Sequence, residues 1–128
     1  MIRVFIADDH GIVRKGMKQI LSRTADIEVA GEASTGQEAL EKIWANNFDV
    51  VILDISLPGR NGLEILKQIK SQQPKLPVLI LSMYPEDQYA VRVLKAGAAG
   101  YLTKESDKSE LIEAIRRIAQ GKNTSHRN

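Results

Sequence analysis

The sequence predicts an α/β fold in which five parallel strands form one sheet and helices cover both of its faces. Strand-like apolar stretches alternate five times with stretches whose apolar residues have helical spacing. Residues 50–53 and 78–81 are continuous apolar runs, which are typical of strands buried on both faces of a parallel sheet. A chain of 128 residues suits a single domain with one sizeable core.

The first part of the chain is predicted to hold a strand, a helix and a second strand. Residues 2–7 are apolar and β-branched apart from Arg3, and they end at Asp8-Asp9-His10. The helical spacing that follows is formed by Ile12, Val13, Met17, Ile20 and Leu21. Residues 27–33 begin with strand-like alternation.

The second helix is predicted to begin with a capping box at Thr35-Gly36-Gln37-Glu38, in which the hydroxyl and the carboxylate satisfy free backbone amides. Its predicted inward-facing residues are Ala39, Leu40, Ile43 and Trp44, with Trp44 in the core. The third strand follows at 49–54, and Pro58-Gly59 ends it with a turn.

The second half repeats the alternation. A helix begins at Gly62 and ends before Pro74, a strand covers 77–82, and a short helix covers about 86–95. The fifth strand is predicted at 98–103, and Asp107 with Glu110 forms a second capping box for the last helix. That helix ends at Gly121, so we expect a domain over 1–121 and a tail or linker over 122–128.

For five such units we expect the flavodoxin-like, doubly wound strand order 2-1-3-4-5. Ligands of open α/β sheets bind at the carboxyl ends of the strands. In this order the first and third strands are neighbours, so Asp8, Asp9 and Asp54 converge. Ser82 and Lys104 end the fourth and fifth strands at the same edge.

Composition excludes several classes of function. The chain has no cysteine, so disulfides and thiolate metal sites are excluded. A net charge of +2 is too small to argue for nucleic acid by itself. No apolar run approaches the roughly 18 residues of a membrane helix, so we expect no membrane partner and a cytoplasmic location.

Three clustered carboxylates either shift their pKa values or hold a cation. Oxygen ligands without sulfur or imidazole favour Mg²⁺, with Mn²⁺ possible. Asp54 ends the most apolar strand and is the best candidate for a nucleophile that takes a phosphoryl group as an acyl phosphate. The Ser56 carbonyl would complete the metal shell, while Ser82 and Lys104 would contact phosphoryl oxygens.

Each residue also has an ordinary structural interpretation. Asp8 and Asp9 suit a helix N-terminus, and Ser82 or Lys104 alone would be an ordinary strand-end hydroxyl or solvated lysine. Tyr101 alone suggests a half-buried packing aromatic. The two histidines, His10 and His126, are predicted to be solvated surface residues. Only the combined set of residues at the strand ends therefore indicates a functional site.

The set resembles a two-component response-regulator receiver domain, the CheY-like fold, over about residues 2–121. The resemblance implies that Asp54 is the phosphoacceptor and that Lys104 binds the phosphate. It also implies that Asp9, Asp54 and the Ser56 carbonyl bind Mg²⁺ with Asp8 in support. Ser82 and Tyr101 would be the hydroxyl-aromatic pair that rearranges on phosphorylation. Such a domain is a switch with self-catalysed phosphotransfer and slow autodephosphorylation rather than a turnover enzyme.

Finer features are similar to the NarL/FixJ (LuxR-type) subfamily: Asp8-Asp9-His10 with Arg14 and Gly16, the sequence from Leu53 to Gly59, and that from Lys95 to Lys104. The subfamily implies a sensor histidine kinase as partner, a homodimer through the first and fifth helices, and DNA binding through a C-terminal helix-turn-helix domain. No such domain fits in 122–128, so we expect the sequence to be truncated. In many receivers the residue after the phosphate-binding lysine is a proline, joined to it by a cis peptide bond. In this chain the residue after Lys104 is Glu105.

Three other functions stay open at this point. A stand-alone receiver would act by protein contact, and the length of the open reading frame would distinguish it. A flavodoxin-like cofactor binder would need a Ser/Thr/Gly-rich loop after the first strand, where this chain has Asp8-Asp9. An aspartate-nucleophile phosphatase would carry Asp-x-Asp after the first strand, whereas the candidate nucleophile here follows the third.

Overall fold

The computed structural model of the chain describes residues 1–57, 61–83 and 88–121. Strands and helices alternate throughout this part, as the sequence predicts. The strands are β1 to β5, at Ile2–Ala7, Ile27–Ala33, Val50–Asp54, Val78–Ser82 and Gly100–Thr103. The helices are α1 to α5, at Gly11–Ser22, Gly36–Ala45, Gly62–Gln72, Gln88–Lys95 and Lys108–Ala119. The predicted turn at Pro58-Gly59, the predicted start of the fourth helix at 86 and the tail at 122–128 lie outside the described residues.

The five strands form one parallel sheet in the order β2-β1-β3-β4-β5, which confirms the predicted fold class. The central strand β3 pairs with β1 and β4, and Val50 to Asp54 are all buried. Three strands begin later than predicted: β3 at 50 instead of 49, β4 at 78 instead of 77, and β5 at 100 instead of 98. Asp49 precedes β3, and its carboxylate accepts a hydrogen bond from the Arg3 backbone N–H at 2.8 Å. Ala98 is a buried residue before β5.

The sheet divides the core into two layers. Alternate residues of β3 point to opposite faces because side chains alternate along a strand. Val51 and Leu53 pack with apolar residues of α2, α3 and α4. Val50 and Ile52 pack with apolar residues of α1 and α5. Each layer removes large apolar side chains from water, and this burial is the main stabilising term for a domain of this size.

The two predicted capping boxes have different outcomes. At α5 the box is complete, because Asp107 accepts from the Glu110 backbone N–H and Glu110 accepts from the Asp107 backbone N–H. At α2 only half of it forms. The Thr35 hydroxyl accepts from the Glu38 backbone N–H at 3.1 Å, but the Glu38 carboxylate accepts from the Ser34 backbone N–H at 2.9 Å, one residue before the cap.

The prediction that Trp44 lies in the core is wrong, because its side chain is 63% exposed. Ala39 and Ile43 are the buried apolar residues of α2, and Leu40 is half-buried. Trp44 follows Ile43 by about 100° around the helix, which moves the indole off the face that contacts the sheet. None of the described helices is long and apolar enough to cross a bilayer.

Candidate functional site

Acidic residues from two neighbouring strands meet at the carboxyl edge of the sheet. Asp8 and Asp9 directly follow β1, and Asp54 is the last residue of β3, which pairs with β1. Together with His10 they form a cluster in which one ligand atom from each residue lies within 4.8 Å of those of the others. The predicted convergence of the three carboxylates is confirmed.

The Asp54 carboxylate is buried, with 1% of its side chain exposed. Its Oδ1 atom accepts a hydrogen bond from the Ser56 backbone N–H at 3.0 Å. Its Oδ2 atom accepts one from Lys104 Nζ at 3.1 Å. The two oxygens are therefore held by different parts of the fold, the turn after β3 and the end of β5.

Lys104 connects the two buried carboxylates. Its Nζ atom lies 3.0 Å from Asp8 Oδ2 and 3.1 Å from Asp54 Oδ2, and only 12% of the side chain is exposed. The backbone fixes this position, because the Lys104 N–H donates to the Ser82 carbonyl at 2.8 Å as a continuation of the pairing between β4 and β5. A single ammonium group thus faces two carboxylates.

Burial raises the pKa of Asp54, and the charge of Asp8 raises it further; hydrogen bonds from the Ser56 backbone and Lys104 oppose this rise without cancelling it. Burial lowers the pKa of Lys104, but its contacts with Asp8 and Asp54 outweigh this, so the pKa of Lys104 is raised overall. Asp54 is therefore an ionisable group whose charged form is costly, and it sits beside a firmly protonated lysine.

Asp8 is the most enclosed member of the cluster, with 1% of its side chain exposed. Its Oδ1 atom accepts from the His10 backbone N–H at 2.8 Å. Its carbonyl accepts from Arg14 Nη1 at 2.6 Å, and Arg14 Nε donates to Glu32 of β2 at 3.0 Å. The Asp8 Oδ2 atom accepts no hydrogen bond among the described residues, and its contact with Lys104 is an ion pair alone.

The prediction that His10 is a solvated surface residue is only half right. Its side chain is 49% exposed, but Nδ1 points into the cluster. Nδ1 lies 3.1 Å from Asp8 Oδ1, 3.4 Å from Asp9 Oδ1 and 3.0 Å from Lys104 Nζ. Sequence reasoning missed this residue, although its position directly after two candidate ligands was a usable signal. His126 lies outside the described residues.

The other predicted residues occupy the same edge or the layer beneath it. Ser56 lies two residues after Asp54 and contacts it through its backbone N–H. Ser82 is fully buried at the end of β4. Tyr101 is 2% exposed, so the expected half-buried ring is wrong; it lies in the core layer with α2, α3 and α4. No peptide bond among the described residues is cis, so Lys104–Glu105 is trans.

The donor set fits a divalent cation. Three carboxylates supply hard oxygen ligands, and Asp8 Oδ2 is a buried acceptor that no hydrogen bond satisfies within the described part of the chain. Asp9 is one-third exposed, which leaves its carboxylate open to solvent. Among the described lysines and arginines, only Lys104 has its charged group within 4.0 Å of Asp54. The carboxylate cluster can therefore bind a metal ion beside a buried aspartate that is also in contact with a lysine.

Comparison with known proteins identifies the family. A family model described as the response regulator receiver domain matches residues 4–116. The transcriptional regulatory protein DegU of Brevibacillus brevis is 40% identical over 120 residues, which are 94% of this chain and 51% of DegU. The chain therefore spans about half the length of this curated relative.

Solved structures agree. The signal receiver domain of the response regulator NarL from Mycobacterium tuberculosis is 36% identical, with a TM-score of 0.88 over 94% of this chain and 98% of that chain. A LuxR-family response regulator from Aurantimonas is 35% identical, with a TM-score of 0.89 over 94% and 86% of the two chains. The chain belongs to the response regulator receiver domain family, among relatives of the NarL and LuxR type.

Proposed function

We propose that this receiver accepts a phosphoryl group on Asp54 from a sensor histidine kinase and thereby switches an output surface. The observation that carries the proposal is the environment of Asp54, a buried carboxylate at the end of the central strand whose Oδ2 atom lies 3.1 Å from Lys104 Nζ. Phosphoryl transfer depends mainly on positioning and charge neutralisation. Both are supplied by residues already held in place by the sheet.

In the transfer step an Asp54 carboxylate oxygen attacks phosphorus of the kinase phosphohistidine. The new O–P bond forms while the P–N bond breaks, and the leaving imidazole keeps the electron pair. Lys104, already 3.1 Å from Asp54 Oδ2, neutralises charge on the phosphoryl oxygens. The Ser56 N–H holds the other carboxylate oxygen at 3.0 Å and orients the nucleophile.

The cation we propose for the site is Mg²⁺, with Mn²⁺ as a second possibility. Asp9, Asp54 and the Ser56 carbonyl would hold it directly, with Asp8 in support. When bound, it supplies positive charge beside the phosphoryl oxygens. The support for this assignment is the carboxylate cluster, together with the Asp8 Oδ2 atom, which accepts no hydrogen bond among the described residues and is held only by its ion pair with Lys104.

The switch would act through β4 and β5. A phosphoryl group adds about −1.5 to −2 charges, which would draw Ser82 and Lys104 toward Asp54. Ser82 and Lys104 are already joined by the backbone hydrogen bond at 2.8 Å. Tyr101, buried on β5, would follow, and the surface formed by α4, β5 and α5 would change its preferred partner as a population shift.

The whole protein is proposed to be a cytoplasmic transcription regulator. Residues 1–121 would be the receiver, and 122–128 would begin a linker to a helix-turn-helix domain that binds DNA. The relative DegU is a transcriptional regulatory protein about twice as long as the matched region, which supports this arrangement. Homodimerisation through α1 and α5 would present two such domains together.

The test is the intact mass of the protein after incubation with acetyl phosphate. We expect a gain of one phosphoryl group with Mg²⁺ and none with excess chelator. The Asp54→Asn variant should gain nothing. Asp49→Asn is the matched control, because Asp49 contacts Arg3 at the opposite end of β3 and should leave the gain unchanged. Equal phosphorylation of Asp54→Asn and the wild type would contradict the proposal.

A further inference from the structure

The backbone of Asp8 is tied to β2 through both of its polar groups. Beyond the last residue pair of β1 and β2, the Asp8 N–H donates to the Ala33 carbonyl at 3.0 Å. The Asp8 carbonyl accepts from Arg14 Nη1 at 2.6 Å, and Arg14 Nε donates to Glu32 Oε1 of β2 at 3.0 Å. Arg14 of α1 therefore extends the attachment of β1 to β2 by one residue, to the start of the acidic turn at residues 8–10.

The start of α1 gives the acidic turn little support of its own. Its N-cap residue, His10, makes no side-chain capping hydrogen bond, and its first turn contains no acidic residue. A helix start usually gains stability from such a cap. Arg14 attaches the helix to the turn instead, because its backbone N–H donates to the His10 carbonyl at 3.0 Å while its side chain holds the Asp8 carbonyl.

The far end of this attachment is itself fixed. The Glu32 carboxylate also contacts Lys18 Nζ at 2.6 Å. The hydrogen bonds from Lys18 and Arg14 hold the pKa of Glu32 below its usual value, against the effect of its partial burial. The planar guanidinium of Arg14 can donate to the carbonyl and the carboxylate at the same time, because its N–H groups form a rigid fork.

The acidic turn needs an attachment because its carboxylates repel each other and that of the neighbouring strand. One ligand atom from each of Asp8, Asp9 and Asp54 lies within 4.8 Å of the others, and like charges this close favour moving the turn away from β3. Within the described part of the chain, the ion-pair partner of Arg14 is Glu32 rather than any of these carboxylates. Arg14 therefore acts on the turn through its backbone.

We infer that Arg14 is a positioning residue of the phosphorylation site, which joins the Asp8 carbonyl to Glu32 and so holds the acidic turn ready for a divalent cation. The inference rests on the proposed function and adds a residue outside the carboxylate cluster. It also predicts a sign. Removing a positive charge near a cation site would by itself tighten cation binding, whereas loss of positioning weakens it.

The first measurement is the Mg²⁺ affinity of Arg14→Ala by titration calorimetry. We expect binding about tenfold weaker than in the wild type, the lower end of the loss when a residue that holds a metal ligand is removed. Arg116→Ala is the matched control, because Arg116 makes an exposed ion pair with Asp26 at the opposite edge of the sheet. It should leave the affinity unchanged. An affinity of Arg14→Ala equal to or higher than that of the wild type would overturn the inference.

Two further variants separate positioning from charge. Lys18→Ala removes the other partner of Glu32 without touching Asp8, and it should change Mg²⁺ affinity by less than about twofold, as expected for an exposed ion pair. Arg14→Lys keeps the charge but lacks the fork that reaches Asp8 and Glu32 together, so it should recover only part of the affinity. Full recovery in Arg14→Lys would show that charge alone suffices and would overturn the positioning role.

Hydrogen exchange tests the turn without any metal ion. The His10 backbone N–H donates to Asp8 Oδ1 at 2.8 Å. It should exchange about tenfold faster in Arg14→Ala, because the turn then opens without breaking the hydrogen bonds of Arg14. The N–H of Val51 in β3 reports global unfolding and should accelerate no more than in Arg116→Ala. Equal acceleration at His10 and Val51 would mean that Arg14 only stabilises the fold, which overturns the inference.

Phosphorylation by acetyl phosphate separates this inference from the proposed function. Arg14→Ala should gain the phosphoryl group more slowly than the wild type at limiting Mg²⁺, and the deficit should shrink as Mg²⁺ approaches saturation. A wild type that is never phosphorylated, with His10 exchange still dependent on Arg14, would overturn the proposed function and leave the attachment of the turn standing. Normal phosphorylation with unchanged exchange and affinity in Arg14→Ala would overturn this inference alone.

Discussion

At the scale of single residues, Lys104 balances the charge of two buried carboxylates. Lys104→Ala would leave Asp8 and Asp54 facing each other without a counterion. We expect the free energy of unfolding at pH 7 to fall by about 3 kcal/mol, the range for removing one partner of a buried ion pair. Chemical denaturation followed by circular dichroism measures this. Phosphorylation by acetyl phosphate should also slow markedly.

Lys104→Arg is the control for that prediction, because it keeps the positive charge and should recover much of the stability. The raised pKa of Lys104 means that its stabilisation is fully present below the unfolded value near 10.5 and is lost only as the pH rises through the folded pKa. A stability of Lys104→Ala equal to the wild type at pH 7 would contradict the assigned charge balance.

Asp54 has the opposite effect on stability, because burial raises its pKa and penalises its charged form. Asp54→Asn should therefore unfold at a higher temperature than the wild type at pH 7. This difference in unfolding temperature between the variant and the wild type is fully present above the folded pKa of Asp54. It should shrink as the pH falls through that pKa and vanish below 3.8, the value for the free group.

The measurement is thermal unfolding of both proteins from pH 7 down to pH 3, with Asp49→Asn as an exposed carboxylate for comparison. A variant that is less stable than the wild type at pH 7 would show that the contacts of Asp54 with Lys104 and Ser56 outweigh its burial. If the stability of Asp54→Asn relative to the wild type increased at low pH, this would contradict the sign of the pKa shift of Asp54.

Individual residues were the least predictable part of the molecule. Asp54, Asp9 and Lys104 could be selected because each follows a recognisable strand, and the structure brings them together. His10 has no periodic signal, and its contact with Lys104 joins residues 94 positions apart. Trp44 was misplaced because helical spacing indicates a broad face, and neighbouring residues such as Ile43 and Trp44 fall on either side of its boundary.

At the scale of elements, two helical glycines have contrasting surroundings. A methyl group at Gly62, the first residue of α3, would collide with the backbone carbonyl of Ile55. A methyl group at Gly16, inside α1, would meet no atom within 4 Å. We therefore expect Gly62→Ala to lower the free energy of unfolding by about 2 kcal/mol, and Gly16→Ala to raise it by about 0.5–1 kcal/mol.

Denaturant titration of the two variants under one buffer measures both effects. Gly16→Ala is the control for Gly62→Ala, because the same methyl group is added at a helical position with open space around it. A Gly62→Ala variant that is as stable as the wild type would refute the close approach of α3 to the end of β3. That approach matters because the segment between them follows Asp54 directly.

Helix starts were predictable in part. Asp107 with Glu110 forms the expected capping box, because a short acid at the cap and a glutamate three residues later suffice to define it. At Thr35 the hydroxyl half forms, but Glu38 reaches Ser34 instead. Two neighbouring backbone amides compete for one carboxylate there, and the sequence pattern does not distinguish them.

In the whole molecule, alternation and the buried central strands were enough to predict a parallel sheet with helices on both faces, whereas the strand order 2-1-3-4-5 also depended on the resemblance to a known fold family. The proposed homodimer adds a prediction. Ile12 of α1 is 88% exposed and lies on one of the two proposed contact helices. We expect Ile12→Glu to weaken association of the phosphorylated protein, as measured by sedimentation velocity.

Val91→Glu is the matched control for dimerisation, because Val91 is an exposed apolar residue of α4, outside the proposed interface. It should leave the sedimentation coefficient unchanged. Dimerisation that survives Ile12→Glu but not Val91→Glu would place the interface on α4 instead of α1 and α5.

The proposed switch requires that Asp54, rather than Asp8 or Asp9, carries the phosphoryl group. The most direct measurement is borohydride reduction of the phosphorylated protein followed by peptide mass mapping, because reduction converts an aspartyl phosphate to homoserine. We predict homoserine at position 54 alone, and only after incubation with phosphodonor and Mg²⁺. Homoserine at position 8 or 9, or a phosphoryl gain without homoserine at 54, would contradict the account.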